Sequence, residues 1–151
     1  MVGFLKVCSL LTFVSCFCVT AQASTFTVLY TFTNGVDGGG PASGLIQDEA
    51  GNLYGTTQLG GVLGGGTVFR VAPDGNETVL YSFKGGNDGS WPASQLVMDG
   101  LGNLFGTTLF GGGDCNCGTV FRLAPDGTET VLHSFAGPEG GNPYGGVISD
   151  I

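Results

Sequence analysis

Thr78-Val79-Leu80-Tyr81-Ser82-Phe83 decides the fold, because the chain holds it three times. Thr27-Val28-Leu29-Tyr30-Thr31-Phe32 stands 51 residues before it, and Thr130-Val131-Leu132-His133-Ser134-Phe135 stands 52 residues after it. Outward from these marks the same landmarks recur in the same order. Gly51-Asn52-Leu53-Tyr54-Gly55-Thr56-Thr57 returns as Gly102-Asn103-Leu104-Phe105-Gly106-Thr107-Thr108. Gly66-Thr67-Val68-Phe69-Arg70 returns as Gly118-Thr119-Val120-Phe121-Arg122, and Ala72-Pro73-Asp74-Gly75 as Ala124-Pro125-Asp126-Gly127. A period of roughly 40 to 50 residues, built of short strands, marks a propeller or a related β array.

Within one period the strands follow from residue type. Thr78 to Phe83 is rich in β-branched and aromatic residues and has no helical period, so it reads as a strand. Gln95 to Asp99, Leu104 to Thr108 and Thr119 to Leu123 follow, and Thr130 to Phe135 begins the next unit. Asp99-Gly100-Leu101-Gly102-Asn103 and Pro125-Asp126-Gly127 turn the chain: Asp accepts local N–H bonds, Gly or Asn takes the left-handed position, and Pro sets φ. The expectation is an all-β chain, a partial β-propeller-like array of four-stranded repeats of about 51 residues. The repeats run over about 27–77, 78–129 and an incomplete 130–151. About ten strands would make roughly two and a half blades, whereas rings close with about four to eight. Self-association, further sequence, or an open stack of sheets are the three ways to finish such an array.

The first residues read as a secretory signal peptide over residues 1–23, followed by a β-repeat domain over 24–151. Lys6 precedes an apolar run from Val7 to Val19, and Ala21-Gln22-Ala23 supplies the small residues of a cleavage site. That run falls short of the roughly 20 residues that span a bilayer, so no membrane span is expected. The expected location is secreted or cell-surface. Phe13-Val14-Ser15-Cys16 loosely matches a lipoprotein cut site, which would leave Cys16 lipidated. The third repeat stops at Ser149-Asp150-Ile151, before its Gly-Asn, as a piece of a longer reading frame would.

Composition excludes several classes. The formal net charge is −8, and beyond Lys6 the basic residues are Arg70, Lys84 and Arg122 alone. Phosphate binding needs clustered Lys and Arg, so nucleic acid is not an expected partner. Gly accounts for 30 of 151 residues without a Gly-X-Y period, which rules out collagen and places glycine at turns.

Val79-Leu80-Tyr81-Ser82-Phe83, Gly86-Asn87-Asp88-Gly89, Gly102-Asn103-Leu104-Phe105-Gly106-Thr107-Thr108, the double glycine, and Gly118-Thr119-Val120-Phe121-Arg122 stand together in this chain. On these motifs it resembles the GloVer tandem-repeat family of exported bacterial proteins. The resemblance covers about Thr25 to Ile151. It implies a secreted or surface-held, propeller-like protein of many repeats, and it brings no reaction and no catalytic residues.

Few residues stand out for chemistry. His133 is the single histidine and fills the strand position of Tyr30 and Tyr81. The aspartates Asp37 with Asp88, Asp48 with Asp99 and Asp150, and Asp74 with Asp126 sit where turns favour Asp. The other reading of them is Ca²⁺ coordination with loop carbonyls, or a hydrolytic carboxylate pair. Cys115-Asn116-Cys117 lies in a glycine loop whose first-repeat counterpart is Leu63-Gly64-Gly65, and a disulfide stapling the loop is the first expectation in an oxidising compartment. Trp91 replaces Gly40 and corresponds to Asn142; it either covers a neighbouring blade or stacks on a sugar or partner surface. Asp88 and Trp91 are thus the candidate ligand contacts. The functional expectation is a non-enzymatic binding or cell-surface interaction module without a cofactor. The alternatives are a carbohydrate-binding or carbohydrate-active domain, or a fragment of a longer propeller with no function of its own.

Overall fold

The computed structural model describes residues 25–148. The expected signal peptide, Cys16 and Asp150 lie outside the described residues. The described chain is all-β, in two antiparallel sheets of the same design. The first holds β1 (Gly39–Pro41), β2 (Ile46–Gln47), β3 (Leu53–Leu59), β4 (Thr67–Val71) and β5 (Glu77–Ser82). The second holds β6 (Ser90–Pro92), β7 (Val97–Met98), β8 (Leu104–Phe110), β9 (Thr119–Leu123) and β10 (Glu129–Ser134). β1 and β2 both pair with β3, so each sheet has four strand positions with its first strand broken in two. The same holds for β6 and β7 on β8. The described residues form no closed ring.

The phase of the repeat differs from the sequence expectation. The Thr-Val-Leu-Tyr/His strand is the last strand of each sheet, β5 on β4 and β10 on β9, and does not open a new unit. The reason is local: the tight turn at Ala72–Gly75, closed by Gly75 N–H to Ala72 C=O at 2.9 Å, folds β5 straight back on β4. Thr27–Phe32 carries the matching sequence and forms no strand. No Gly-Thr-Val-Phe-Arg strand precedes it among the described residues, and a strand needs a partner to satisfy its backbone.

β4 is buried along both faces. Val68 joins Phe83, Leu96, Leu104, Phe121 and Leu123 in the core between the sheets. Alternation turns Phe69 and Val71 to the opposite face, where Phe32 packs edge-on against Phe69 with centroids 4.8 Å apart. The second sheet repeats the arrangement: Phe83, just past β5, stands edge-on to Phe121 at 5.1 Å. Gly55 and Gly106 explain the Gly-Thr-Thr motif. A Cβ on either would lie 2.8 Å from the Cζ of Phe69 or Phe121 respectively, so the glycine leaves room for the ring. The threonines that follow are buried and paired: Thr57 Oγ1 with Thr67 Oγ1, and Thr108 Oγ1 with Thr119 Oγ1, each at 2.8 Å. Buried hydroxyls satisfied by each other cost little, and the ladder fixes the β3–β4 and β8–β9 register.

Candidate functional site

The junction between repeats is built from carboxylates. Asp88 leads into β6 and accepts the Tyr81 hydroxyl at 2.5 Å and the Lys84 N–H at 2.7 Å. Asp37 does the same one repeat earlier, accepting the Tyr30 hydroxyl at 3.1 Å and the Thr33 N–H at 2.8 Å. The third copy changes both partners together. Glu139 accepts from His133 Nε2 and from the Ala136 N–H, each at 3.0 Å. Its loop from the preceding Phe is one residue shorter, and the longer Glu side chain makes up the reach. Burial, then the Asp88 bond, pushes the Tyr81 hydroxyl well above its usual range, so Tyr81 stays a donor.

A second carboxyl faces this junction. Glu129, the first residue of β10, has its Oε1 buried with no hydrogen-bond partner, as does Glu77 at the start of β5. Burial pushes the Glu129 carboxyl up to about 7; the Asp88 charge and hydrogen bonding to Asp88 add to the rise, and Lys84 opposes it. Glu77 is raised as well, first by burial and then by the Asp37 charge. A carboxyl raised above its ordinary 4.5 binds a proton in the folded chain that the unfolded chain releases. Its stabilising contribution is therefore complete below about pH 4.5 and is lost as pH rises through about 7. The opposite limb comes from Asp37, Asp48, Asp99 and Asp126, all held below the usual carboxylate range, Asp37 chiefly by the Thr33 hydroxyl. Their contribution is present above their ordinary value of 3.8 and is lost as pH falls. Thermal melts are expected to fall between pH 5.5 and 8. Glu129→Gln flattens that limb by about 1 kcal/mol, a figure discounted for the carboxyl's partial exposure. A slope unchanged in the variant refutes the assignment.

The other aspartates are occupied by their own turns. Asp48 accepts N–H bonds from Ala50 and Asn52, the Asn52 side-chain amide and the Tyr54 hydroxyl, all between 2.8 and 3.0 Å. Asp99 accepts the Leu101 and Asn103 N–H groups and the Asn103 amide, and Asp74 and Asp126 cap their tight turns in the same way. Among the described residues no three of His, Cys, Asp and Glu stand together as a metal-binding group.

Between the sheets, at the end where these turns lie, a cleft of about 410 Å³ opens. Its first-sheet wall carries Asp48, Tyr54 and Arg70; its second-sheet wall carries Met98, Leu104 and Leu123. Leu101 and Pro125, from two turns, form the rim.

The model of the Gloeobacter/Verrucomicrobia repeat matches residues 15–150. The chain belongs to that family. No curated protein matches it. For a Gloeobacter/Verrucomicrobia repeat protein, the features that differ between repeats are the informative ones, since the shared ones serve the common fold.

Trp91 is such a feature. It adopts a left-handed φ of 57°, as do its counterparts Gly40 at 61° and Asn142 at 51°. The position exists to aim a backbone donor. Trp91 N–H reaches Gly65 C=O at 2.8 Å, and Asn142 N–H reaches Cys117 C=O at 2.6 Å, each tying one sheet's glycine loop to the next repeat. The indole packs edge-on to Phe110 at 5.4 Å and stays 40% exposed. Cys115 and Cys117 have their sulfurs in bonding contact and Cα atoms 5.2 Å apart, within the range of a disulfide. Asp88 is bonded to Tyr81 and Lys84, whereas Trp91 packs on Phe110, so the two side chains serve different neighbours. The sequence reading missed Glu129, Arg70 and Tyr54. The recurrence of Glu-Thr-Val-Leu at Glu77 and Glu129, with Phe26 in the first copy, was the available signal for the first.

Proposed function

We propose that this repeat protein is an exported, non-enzymatic interaction module whose tandem sheets are the blades of a propeller-like array. The observation that carries this reading is the recurrence of every candidate catalytic carboxylate at the same framework position in successive repeats. Asp48 and Asp99 are bonded into turns, and Asp37 and Asp88 into junctions. Groups repeated in register serve folding, and the loops that vary over that framework carry recognition. The variable loop here presents Trp91, an amphipathic ring suited to stacking on a sugar or an apolar partner. Lys6 and the apolar run from Val7 to Val19 support export.

One observation favours a carbohydrate-active alternative. Glu129 is an acid tuned near neutrality beside Asp88, the pairing that glycoside hydrolysis uses. The same pairing recurs as Glu77 with Asp37, which argues for a junction role. A glycan array run with a hydrolysis assay separates the two. Trp91→Gly is the right probe, because glycine already holds this φ at Gly40; the relieved backbone offsets part of the lost packing on Phe110, which costs about 1–2 kcal/mol. Glycan binding lost in Trp91→Gly without turnover in the parent supports the module. Turnover abolished by Asp88→Asn supports the enzyme.

A further inference from the structure

We propose that the cleft between the two sheets binds a small monocarboxylate with an apolar body. The inference deepens the interaction-module reading and rests on it. The cleft, at about 410 Å³, falls within the range of small-molecule sites. Its two walls differ in character. The second-sheet wall is apolar, with Met98, Leu104 and Leu123. The first-sheet wall presents Arg70, the cationic residue among those lining the cleft. A guanidinium in a cleft with an apolar opposite wall favours a ligand that carries an anionic acceptor at one end.

The Tyr54 hydroxyl, which donates to Asp48, is the polar neighbour of this guanidinium in the cleft, and no carboxylate pairs with it among the described residues. The ion pair found among the described residues joins His133 to Glu139, at the far end of the second sheet. Asp48 lines the same cleft, but Ala50, Asn52 and Tyr54 already fill its oxygens. Those bonds, the Asn52 side-chain amide foremost, hold its carboxyl below the usual range. The open charge in the cleft is thus cationic, and a guanidinium matches a carboxylate in shape as well as sign. The chain's net charge of −8 opposes polyanions. It opposes a single carboxylate far less, because exposed charges beyond about 8 Å are screened at physiological salt.

Two differences between the repeats make the site specific to this junction. Leu101 stands 83% exposed on the rim, where the first repeat has Ala50. An exposed leucine over an apolar wall gains by covering a ligand's hydrocarbon. Arg122 is the counterpart of Arg70, but Phe105 replaces Tyr54 beside it and Asp99 and Asp126 act on it. No third sheet faces it among the described residues.

Titration calorimetry of the full chain with octanoate, and with octan-1-ol as the uncharged counterpart, tests the proposal. Octanoate is expected to bind saturably and at least tenfold more tightly than the alcohol. Arg70→Gln removes that tenfold preference and leaves alcohol binding unchanged; Leu101→Asp, on an exposed turn, weakens both ligands severalfold. Circular dichroism checks that each variant is folded. No saturable octanoate binding, equal binding of acid and alcohol, or an unaltered preference in folded Arg70→Gln each overturns the proposal. Glycan binding with no octanoate binding sinks the cleft and leaves the module standing. Octanoate binding with an empty glycan array keeps the cleft and removes the sugar ligand.

Discussion

Gly66→Ala is expected to destabilise the chain by about 3–5 kcal/mol, read as a fall in the urea midpoint at unchanged slope. Three effects act at the one atom. Gly66 holds φ at 92°, a conformation that costs an L-residue strain. Its added Cβ would lie 2.3 Å from the Thr57 carbonyl oxygen, a backbone atom fixed in β3 that cannot move aside. It would also lie 2.8 Å from Cδ of Pro92, in the first strand of the next sheet. Overpacking alone costs about 1–3 kcal/mol. The strained φ and the displaced sheet junction add to it. Gly118→Ala repeats the geometry one sheet later, with φ 99°, Thr108 O at 2.3 Å and Pro143 Cδ at 2.7 Å. Gly100→Ala is the control. It meets nothing within 4 Å and has no positive φ, so its effect stays within about 0.5 kcal/mol. Equal effects at Gly66 and Gly100 would refute the account of the junction.

Phe121→Ala is expected to cost about 3–5 kcal/mol through the cavity it leaves. Phe121 is fully buried at the centre of the core shared by the two sheets, against Phe83, Leu96 and Leu104. It sits over Gly106, whose missing Cβ was the room for its ring, so the backbone there has no side chain with which to refill the space. The same change at Phe69 should cost less, because its partner Phe32 is half-exposed on an unpaired segment that can close onto the gap. Domains of this size hold a margin of about 5–15 kcal/mol, so either loss threatens folding near physiological temperature. Chemical denaturation of both variants side by side decides the order, and a larger loss at Phe69 would contradict it.

Much of this was legible in the residues. Thr119 to Leu123 is a strand with the bounds its composition suggested, and Leu104 opens β8 as expected. The Asp-x-x-Gly-Asn turns form as Asp side-chain chemistry predicts, because every bond they need lies within four residues. β6 was not legible: Ser90-Trp91-Pro92 is three residues long, carries a proline, and owes its strand state to β8. Thr27–Phe32 failed in the other direction, as a strand-like segment with no partner. The sequence marks Asp88 as a turn residue, and it is one, with Lys84 N–H on its carboxylate. Its bond to Tyr81 and the pressure it puts on Glu129 were out of reach, since Glu129 lies 41 residues away along the chain.

Residue order alone carried the repeat, the all-β class and the tight turns. These depend on bonds between residues a few positions apart, where residue type is enough. Only packing against a neighbour settled which face of β4 meets which partner, and that Trp91 sits at a glycine's φ. The same packing placed Arg70 in the wall of a cleft opposite Met98, Leu104 and Leu123. Those outcomes depend on one sheet stacking against another a full period away, and a face of a strand is neither buried nor open until that neighbour is in place.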